Sequence, residues 1–388
     1  MRMDMGTPIV AAVSEAGETR WGFHQFPNMT RLPDGAILLT WADAEDASET
    51  HGRPAPALCS HDAGRTWSVF AGEPRPTRPH FCISAVFDGD YLAMPSAPYL
   101  NVAQGGWTMP EPCSTADVYG VTRGYRVADL PSSVRAYYQQ IPCLRWTPER
   151  PRWQTGEVHY DPERLLAWKR DNSDVLPRTF FERPLLKYNG DLLYADYRVR
   201  YALKDGTIPP KGATHLMASC DNGHSFEHRA TIAADVSGRD LYGEPQLSPT
   251  ADGRLVCVIR KTDQQQKPMA IAWSSDNGHT WSAPRELFTF GVWPCVLLLK
   301  CGALVLSYGR PGVQLRIDPS GTGEHWSEPT TLIDGSPREI MRHTCGYTCL
   351  LALDDCSFLI AYSDFLHRDA AGQMRKAILV RRVTLSES

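Results

Sequence analysis

The stretch GEPQLSPTADGRLVCVIR, residues 243–260, opens near a carboxylate and closes on a cation, with apolar runs and one Asp-Gly turn between them. Burying an unpaired charge is expensive. Glu244 and Arg260 therefore need partners: each other, another side chain, or a ligand. The position of Glu244 recurs. Nine residues before the glycine of each such turn, or before Cys356 where it takes the glycine's place, stand Phe26, His80, Phe181, Glu244, Trp293 and Tyr347. Asn28, Glu182 and Arg183 flank this column. Phe26, Phe181 and Trp293 suit an apolar plug, whereas His80, Glu182, Arg183 and Glu244 do not. Ionisable groups gathered at one cavity are what proton transfer and recognition of a charged ligand both require.

A repeated hairpin is the element that must gather them. Its copies include FPNMTRLPDGAILLTW (26–41), FERPLLKYNGDLLYADY (181–197), WPCVLLLKCGALVLSYGR (293–310) and YTCLLALDDCSFLIAYSD (347–364), with two more at 80–94 and 244–260. Asp-Gly or Asn-Gly between apolar runs marks a hairpin, because those residues tolerate the positive φ of a tight turn. Recurrence at roughly 40–60 residues suits the four-stranded blades of a β-propeller. The first strand of each blade lines the axis, so the column rings the mouth. The third copy arrives late. Residues from about 95 to 178 are expected to hold the rest of blade two plus an insertion near the mouth, rich in Pro, Trp and Tyr. Residues 7–13 are a candidate closing strand for the last blade.

Composition narrows the class. The chain has 388 residues, 42% hydrophobic and 22% charged, as a globular protein does. Net charge is −4, so no basic excess points to nucleic acid or an anionic membrane. No apolar run approaches the roughly 18 residues of a membrane span. The N-terminus shows no clear signal peptide, and the 11 scattered cysteines read as free thiols of a reducing compartment. A cytoplasmic location is expected, or secretion if a leader has been removed. No motif implies a metal or cofactor. Oligomeric state is left open.

A second repeat trails the hairpins. SHDAGRTW (60–67) and SSDNGHTW (274–281) fit S-x-D-x-G-x-T-W, SCDNGHSF (219–226) is a variant, and IDPSGTGEHW (317–326) is a degenerate one. The aspartate caps a turn, the glycine permits a left-handed backbone, and the aromatic is buried. This pattern resembles the Asp-box, or BNR repeat, of the sialidase superfamily. The resemblance covers nearly the whole chain. It implies an all-β fold, a six-bladed β-propeller of four-stranded antiparallel blades forming one domain over residues 1–388, with the boxes at the periphery.

The resemblance also implies roles. Sialidases carry a glutamate at an inner strand start, and Glu244 matches it. Arg260 and Arg310 match arginines that bind the substrate carboxylate. Tyr347, opening the last blade, matches a tyrosine nucleophile, which Glu244 would polarise. A neutral phenol is not repelled by an anionic sugar as a carboxylate would be, and sialidases are the tyrosine exception among glycosidases. Arginine grips a carboxylate with a bidentate fork.

The chain departs from the family pattern twice. The R-I-P arginine of blade one is replaced by the FPN segment at Phe26. Arg183 is either its substitute or a salt-bridge partner of Glu182. The usual acid aspartate is also missing, and the loop DAEDASETHGR (43–53) offers His51 and Asp46 instead, with Glu49, Asp43 and His24 behind them. Histidine titrates near pH 6.5 and can serve as a general acid. His80, Trp293, Glu182 and Arg183 join Arg260 and Arg310 as expected substrate-binding residues. The expected function is a sialidase-like glycoside hydrolase acting on a sialic acid-like or uronic acid-type sugar. The alternatives are a carbohydrate lyase acting beside a uronate carboxylate and a non-catalytic glycan-binding propeller.

Overall fold

Each of the six turns closes a hairpin, and each hairpin is the inner half of an antiparallel sheet. The computed structural model describes residues 1–387 apart from 118–119, 162, 179–180, 199 and 262–265. Blade one is Phe23–Arg31, Ile37–Asp43, Ala57–Ser60 and Ser68–Val69. Blade four is Tyr242–Pro249, Leu255–Lys261, Pro268–Ser274 and Arg285–Phe290. Blade five is Val292–Leu298, Leu304–Gly309, Val313–Asp318 and Thr330–Ile333. In blade six, Thr348–Ala352, Ser357–Arg368 and Met374–Ser386 are joined by N-terminal strands Arg2–Met5 and Ile9–Val13, with Ile9 opposite Val380. First and last segments thus share a sheet, which leaves no open edge between the chain's ends. The fold is a six-bladed, four-stranded antiparallel β-propeller.

Why the inner strands read as continuous apolar runs is now plain. Alternate side chains point to opposite faces of a strand, and here a different blade covers each face. Val256 and Val258 pack with Leu304 and Leu306 of blade five. Their neighbours Leu255 and Cys257 pack with Leu193 and Leu216 of blade three, which is Leu186–Tyr188, Asp191–Asp196, Thr214–Ser219 and Ser225–Ala233. Blade one divides in the same way, Leu38 facing Ile83 and Leu39 facing Leu359 and Ile378.

The four aspartate turns all join third and fourth strands, far from the axis. Asp62 Oδ1 accepts the backbone N–H of Arg65 and Thr66, and the Ser60 hydroxyl donates to the same oxygen. Asp221 and Asp276 repeat this pattern. Asp318 is buried, and its Oδ2 accepts from the N–H groups of Gly323, Glu324 and His325 at 2.8, 3.1 and 3.2 Å. Burial pushes its pKa up, but the donated hydrogen bonds outweigh this and hold it below the ordinary aspartate value. Its contribution is therefore complete above that ordinary value and is lost as pH falls through the lowered one. Asp318→Ala is expected to cost about 3 kcal/mol, read as a lower urea midpoint.

Blade two takes its outer strands late, as Gln140–Thr147 and Arg150–Tyr160. The intervening chain supplies Ser114–Asp117 and Val121–Arg126 to a separate antiparallel sheet, which Leu165–Arg170 and Arg200–Tyr201 complete from further along the chain. A short helix, Ser132–Gln139, packs beside it and buries Val134 and Tyr138. No helix among the described residues is long and apolar enough to cross a membrane.

Candidate active site

The column at the strand starts shares a backbone irregularity. Phe26, Phe181, Glu244 and Trp293 all have positive φ, between 46° and 57°. Three of them precede proline, in Phe26-Pro27, Glu244-Pro245 and Trp293-Pro294. Proline cannot donate to the ladder, and pairing slips at these places, between Gln25 and Asn28, Gly243 and Gln246, and Val292 and Cys295. Each is a bulge that re-aims one side chain. Such non-glycine conformations cost roughly 1–3 kcal/mol and persist where the surroundings fix them.

Tyr347 reaches the mouth by another route. It follows Gly346, whose φ is 79°, and Gly346 packs against Gly309. A Cβ on Gly309 would lie 2.0 Å from the Gly346 carbonyl oxygen. This close approach sets Arg310, at the end of blade five's second strand, beside Tyr347. Gly309→Ala should therefore push the two segments apart and lower both Tm and ligand affinity.

Glu244 is buried at 4% exposure with both oxygens engaged. Oε1 accepts the Tyr347 hydroxyl at 2.5 Å and Arg260 Nη1 at 2.7 Å. Oε2 accepts the Trp293 backbone N–H at 2.9 Å. Burial raises the Glu244 pKa, but the Arg260 charge, the Tyr347 and Arg260 hydrogen bonds and the Arg310 charge outweigh it, so the net shift is downward. Burial and the adjacent Glu244 charge push Tyr347 well above the ordinary phenol value, against the pull of Arg260 and Arg310. The resting pair is thus a neutral phenol donating to a carboxylate. The phenol ring is clamped between Trp293, stacked at 4.5 Å, and Phe26 at 4.8 Å. Arg310 donates through Nε to the Cys345 carbonyl at 2.9 Å, and its guanidinium carbon lies 5.6 Å from the Tyr347 ring centre.

The other candidates divide. Asp46 is exposed at the mouth and accepts from the Trp21 indole N–H at 3.3 Å. It borders both adjoining cavities, as Phe26 and Tyr347 do. His51 lies against Tyr99, ring centres 4.0 Å apart, in the smaller cavity of about 570 Å³. Burial, then repulsion from Arg198 and His80, pushes its pKa down to about 3. The direction of this shift favours the neutral ring. His80 also lines the smaller cavity, with Nε2 at 3.2 Å from Glu182. His24 is 3.2 Å from Asp43, a pair among the blade-one residues.

Three residues expected at the mouth do not line either of the two cavities. Trp293 is 6% exposed, stacked between His80 and Tyr347. Arg183 neither reaches the cavities nor bridges to Glu182. Its guanidinium lies 3.7 Å from the Trp293 ring and donates to Cys295 Sγ and the Pro294 carbonyl. Glu182 instead accepts from Arg198 Nε at 2.9 Å and faces His80. Counting from the turn glycine, with the flanking residues added, had no means of telling a side chain that lines a cavity from one that does not.

Arg198 itself was missed. It stands eight residues after the turn glycine Gly190, as Arg310 stands eight after Gly302, and that second register would have found it. The larger cavity, about 720 Å³, is lined by Arg170, Arg198, Arg200, Lys211, Arg260 and Arg310, against the acids Asp46 and Glu244. A mouth so rich in cations concentrates anions. Among the described residues no group of three or more His, Cys, Asp or Glu side chains is placed to hold a metal ion.

No protein-family model matches the chain, and no curated relative does. Solved structures do. A protein of unknown function from Dyadobacter fermentans aligns over 99% of both chains at 19% identity, with a TM-score of 0.65. The α-L-arabinanase of Penicillium chrysogenum aligns over 97% of this chain and 98% of its own at 14% identity, TM-score 0.56. NanB sialidase from Streptococcus pneumoniae aligns over 97% of this chain and 70% of its own at 12% identity, TM-score 0.55. At such identities the likeness is one of fold: this chain has the β-propeller architecture on which those glycosidases are built.

Proposed function

We propose that this protein is a glycoside hydrolase acting on an anionic sugar, with Tyr347 as nucleophile. The observation that carries the reading is the Tyr347 hydroxyl 2.5 Å from a buried carboxylate that also holds Arg260. Tyr347 Oη attacks the anomeric carbon while its proton passes to Glu244. The bond to the leaving oxygen breaks, and Asp46 supplies that oxygen's proton. Water then attacks the same carbon, giving a proton to Asp46. Tyr347 departs and recovers its proton from Glu244, which leaves the enzyme unchanged. Two displacements at one carbon retain its configuration. The high phenol pKa fits concerted transfer to Glu244 rather than a standing phenolate.

In this reading Arg310 and Arg260 hold the sugar's carboxylate. Arg198 brings a further cation from blade three, which compensates the arginine that blade one lacks. Glycosidase neighbours support the reaction class, and the cationic mouth supports an anionic substrate. Because the neighbours include an α-L-arabinanase, a neutral arabinoside is the informative contrast.

The test is release of a chromophore from aryl glycosides of sialic acid, of a uronic acid and of arabinose. Turnover of an acidic glycoside with retained configuration is expected. Exclusive turnover of the arabinoside would refute the anionic substrate, and a product absorbing in the ultraviolet through a new double bond would mark a lyase. Asp46→Asn should reduce turnover about 10²-fold or more, while His51→Gln should do much less. Arg260→Gln removes the largest opposing pull on Glu244, so its pKa rises. The acid limb of kcat/KM should then move to higher pH than in the wild type.

A further inference from the structure

The larger cavity has a second cationic wall that the mechanism does not use. Arg170 ends the strand Leu165–Arg170, and Arg200 lies in its partner strand opposite Leu166. Both belong to the separate sheet built outside the blades, and Lys211 approaches from the segment before Thr214–Ser219. Arg200 faces Trp168, its guanidinium carbon 5.0 Å from the ring centre. Among the described residues no carboxylate pairs with Arg170, Arg200 or Lys211. Lys211 donates to the Arg239 carbonyl, which leaves its charge uncompensated. Burial alone pushes the Arg200 pKa down to about 10. A group of cations with no carboxylate beside it attracts anions, and a ligand anion would supply the missing counter-charge.

The inner arginines are committed differently. Arg260 is bound to Glu244, and Arg310 is fixed beside Tyr347. One anion held at the axis by these two leaves the outer three without a counterion. The cavity of about 720 Å³ has room beyond a single sugar ring, within the roughly 300–1,000 Å³ of sites that take larger ligands. Trp168 also lines this cavity.

We propose that Arg170, Arg200 and Lys211 form a second anion subsite, so that the ligand is an acidic glycan bearing a carboxylate or sulfate on the sugar next to the one held at Tyr347. The inference rests on the hydrolase reading for the position of the first sugar, but its test does not need turnover. Binding is measured calorimetrically on Tyr347→Phe protein with three probes: a disaccharide of two uronates, its ester in which one carboxylate is methylated, and a uronate disaccharide with a sulfate in place of the second carboxylate. The two doubly charged probes should bind at least about 10-fold more tightly than the ester, with a steeper salt dependence. A preference for one of them identifies the second anion. Arg200→Gln and, separately, Lys211→Gln should shrink that ratio several-fold. Equal binding of ester and diacid, equal weakening of both by the substitutions, or no binding of any probe would overturn the subsite. A clear diacid preference in a protein whose wild type turns over no glycoside would instead defeat the hydrolase reading and leave the subsite standing.

Discussion

Tyr347→Phe should lower kcat about 10³-fold or more on any acidic glycoside the wild type cleaves, while changing stability by no more than about 1 kcal/mol. The substitution removes one oxygen. The ring remains clamped by Trp293 and Phe26, so the backbone has no reason to move. Glu244→Gln should do comparable damage, because an amide cannot take the phenol proton. It also leaves buried Arg260 without its counter-charge, a loss of about 3 kcal/mol or more, so its kinetics must be read well below its own Tm. The double variant should be little worse than either single one. Groups that act as a unit are strongly non-additive, and steady-state rates of the four proteins check this. Independent, multiplying losses would mean that the hydrogen bond between the two residues is structural.

Arg310→Gln should have the second largest effect, and a selective one. Arg260 is the poorer probe of substrate charge, because it also sets the protonation of Glu244. Arg310 makes its protein hydrogen bond through Nε to a backbone carbonyl. Its loss should reduce kcat/KM for a uronate or sialic acid glycoside about 10²-fold, equivalent to about 2.7 kcal/mol. The same glycoside with its carboxylate esterified should lose less than about 3-fold, and competition between the two in one reaction reads the difference directly. Equal losses would assign Arg310 to holding the Cys345 segment rather than to reading charge.

Much of the fold was legible because its signals are local. An Asp-Gly or Asn-Gly turn between apolar runs states a hairpin within some 16 residues. Apolar residues on both faces of LVCVIR state that both faces are covered. Fixed counting from the turn glycine placed Glu244 and Tyr347 in one column, although 103 positions separate them. What escaped depends on contacts that the local sequence does not encode. The sheet pairing Leu165 with Tyr201 is long-range, so Trp168, Arg170 and Arg200 could not be assigned to the mouth. The positive φ values at Phe26, Glu244 and Trp293 follow from bulges that a regular count ignores. Cavity lining escaped too: Trp293 stands in the column and Arg183 two residues from it, yet neither borders the two cavities.

The most direct test of the central claim is chemical. An activated, ring-fluorinated glycoside of a uronic or sialic acid should label the protein, because fluorine slows the second displacement and lets the glycosyl-enzyme accumulate. Peptide mass spectrometry should find one sugar attached to the peptide carrying Tyr347, with fragmentation placing it on the tyrosine, and no label in Tyr347→Phe. A sugar attached to Glu244, Asp46 or any other residue in an enzyme that turns over the parent glycoside would contradict the account.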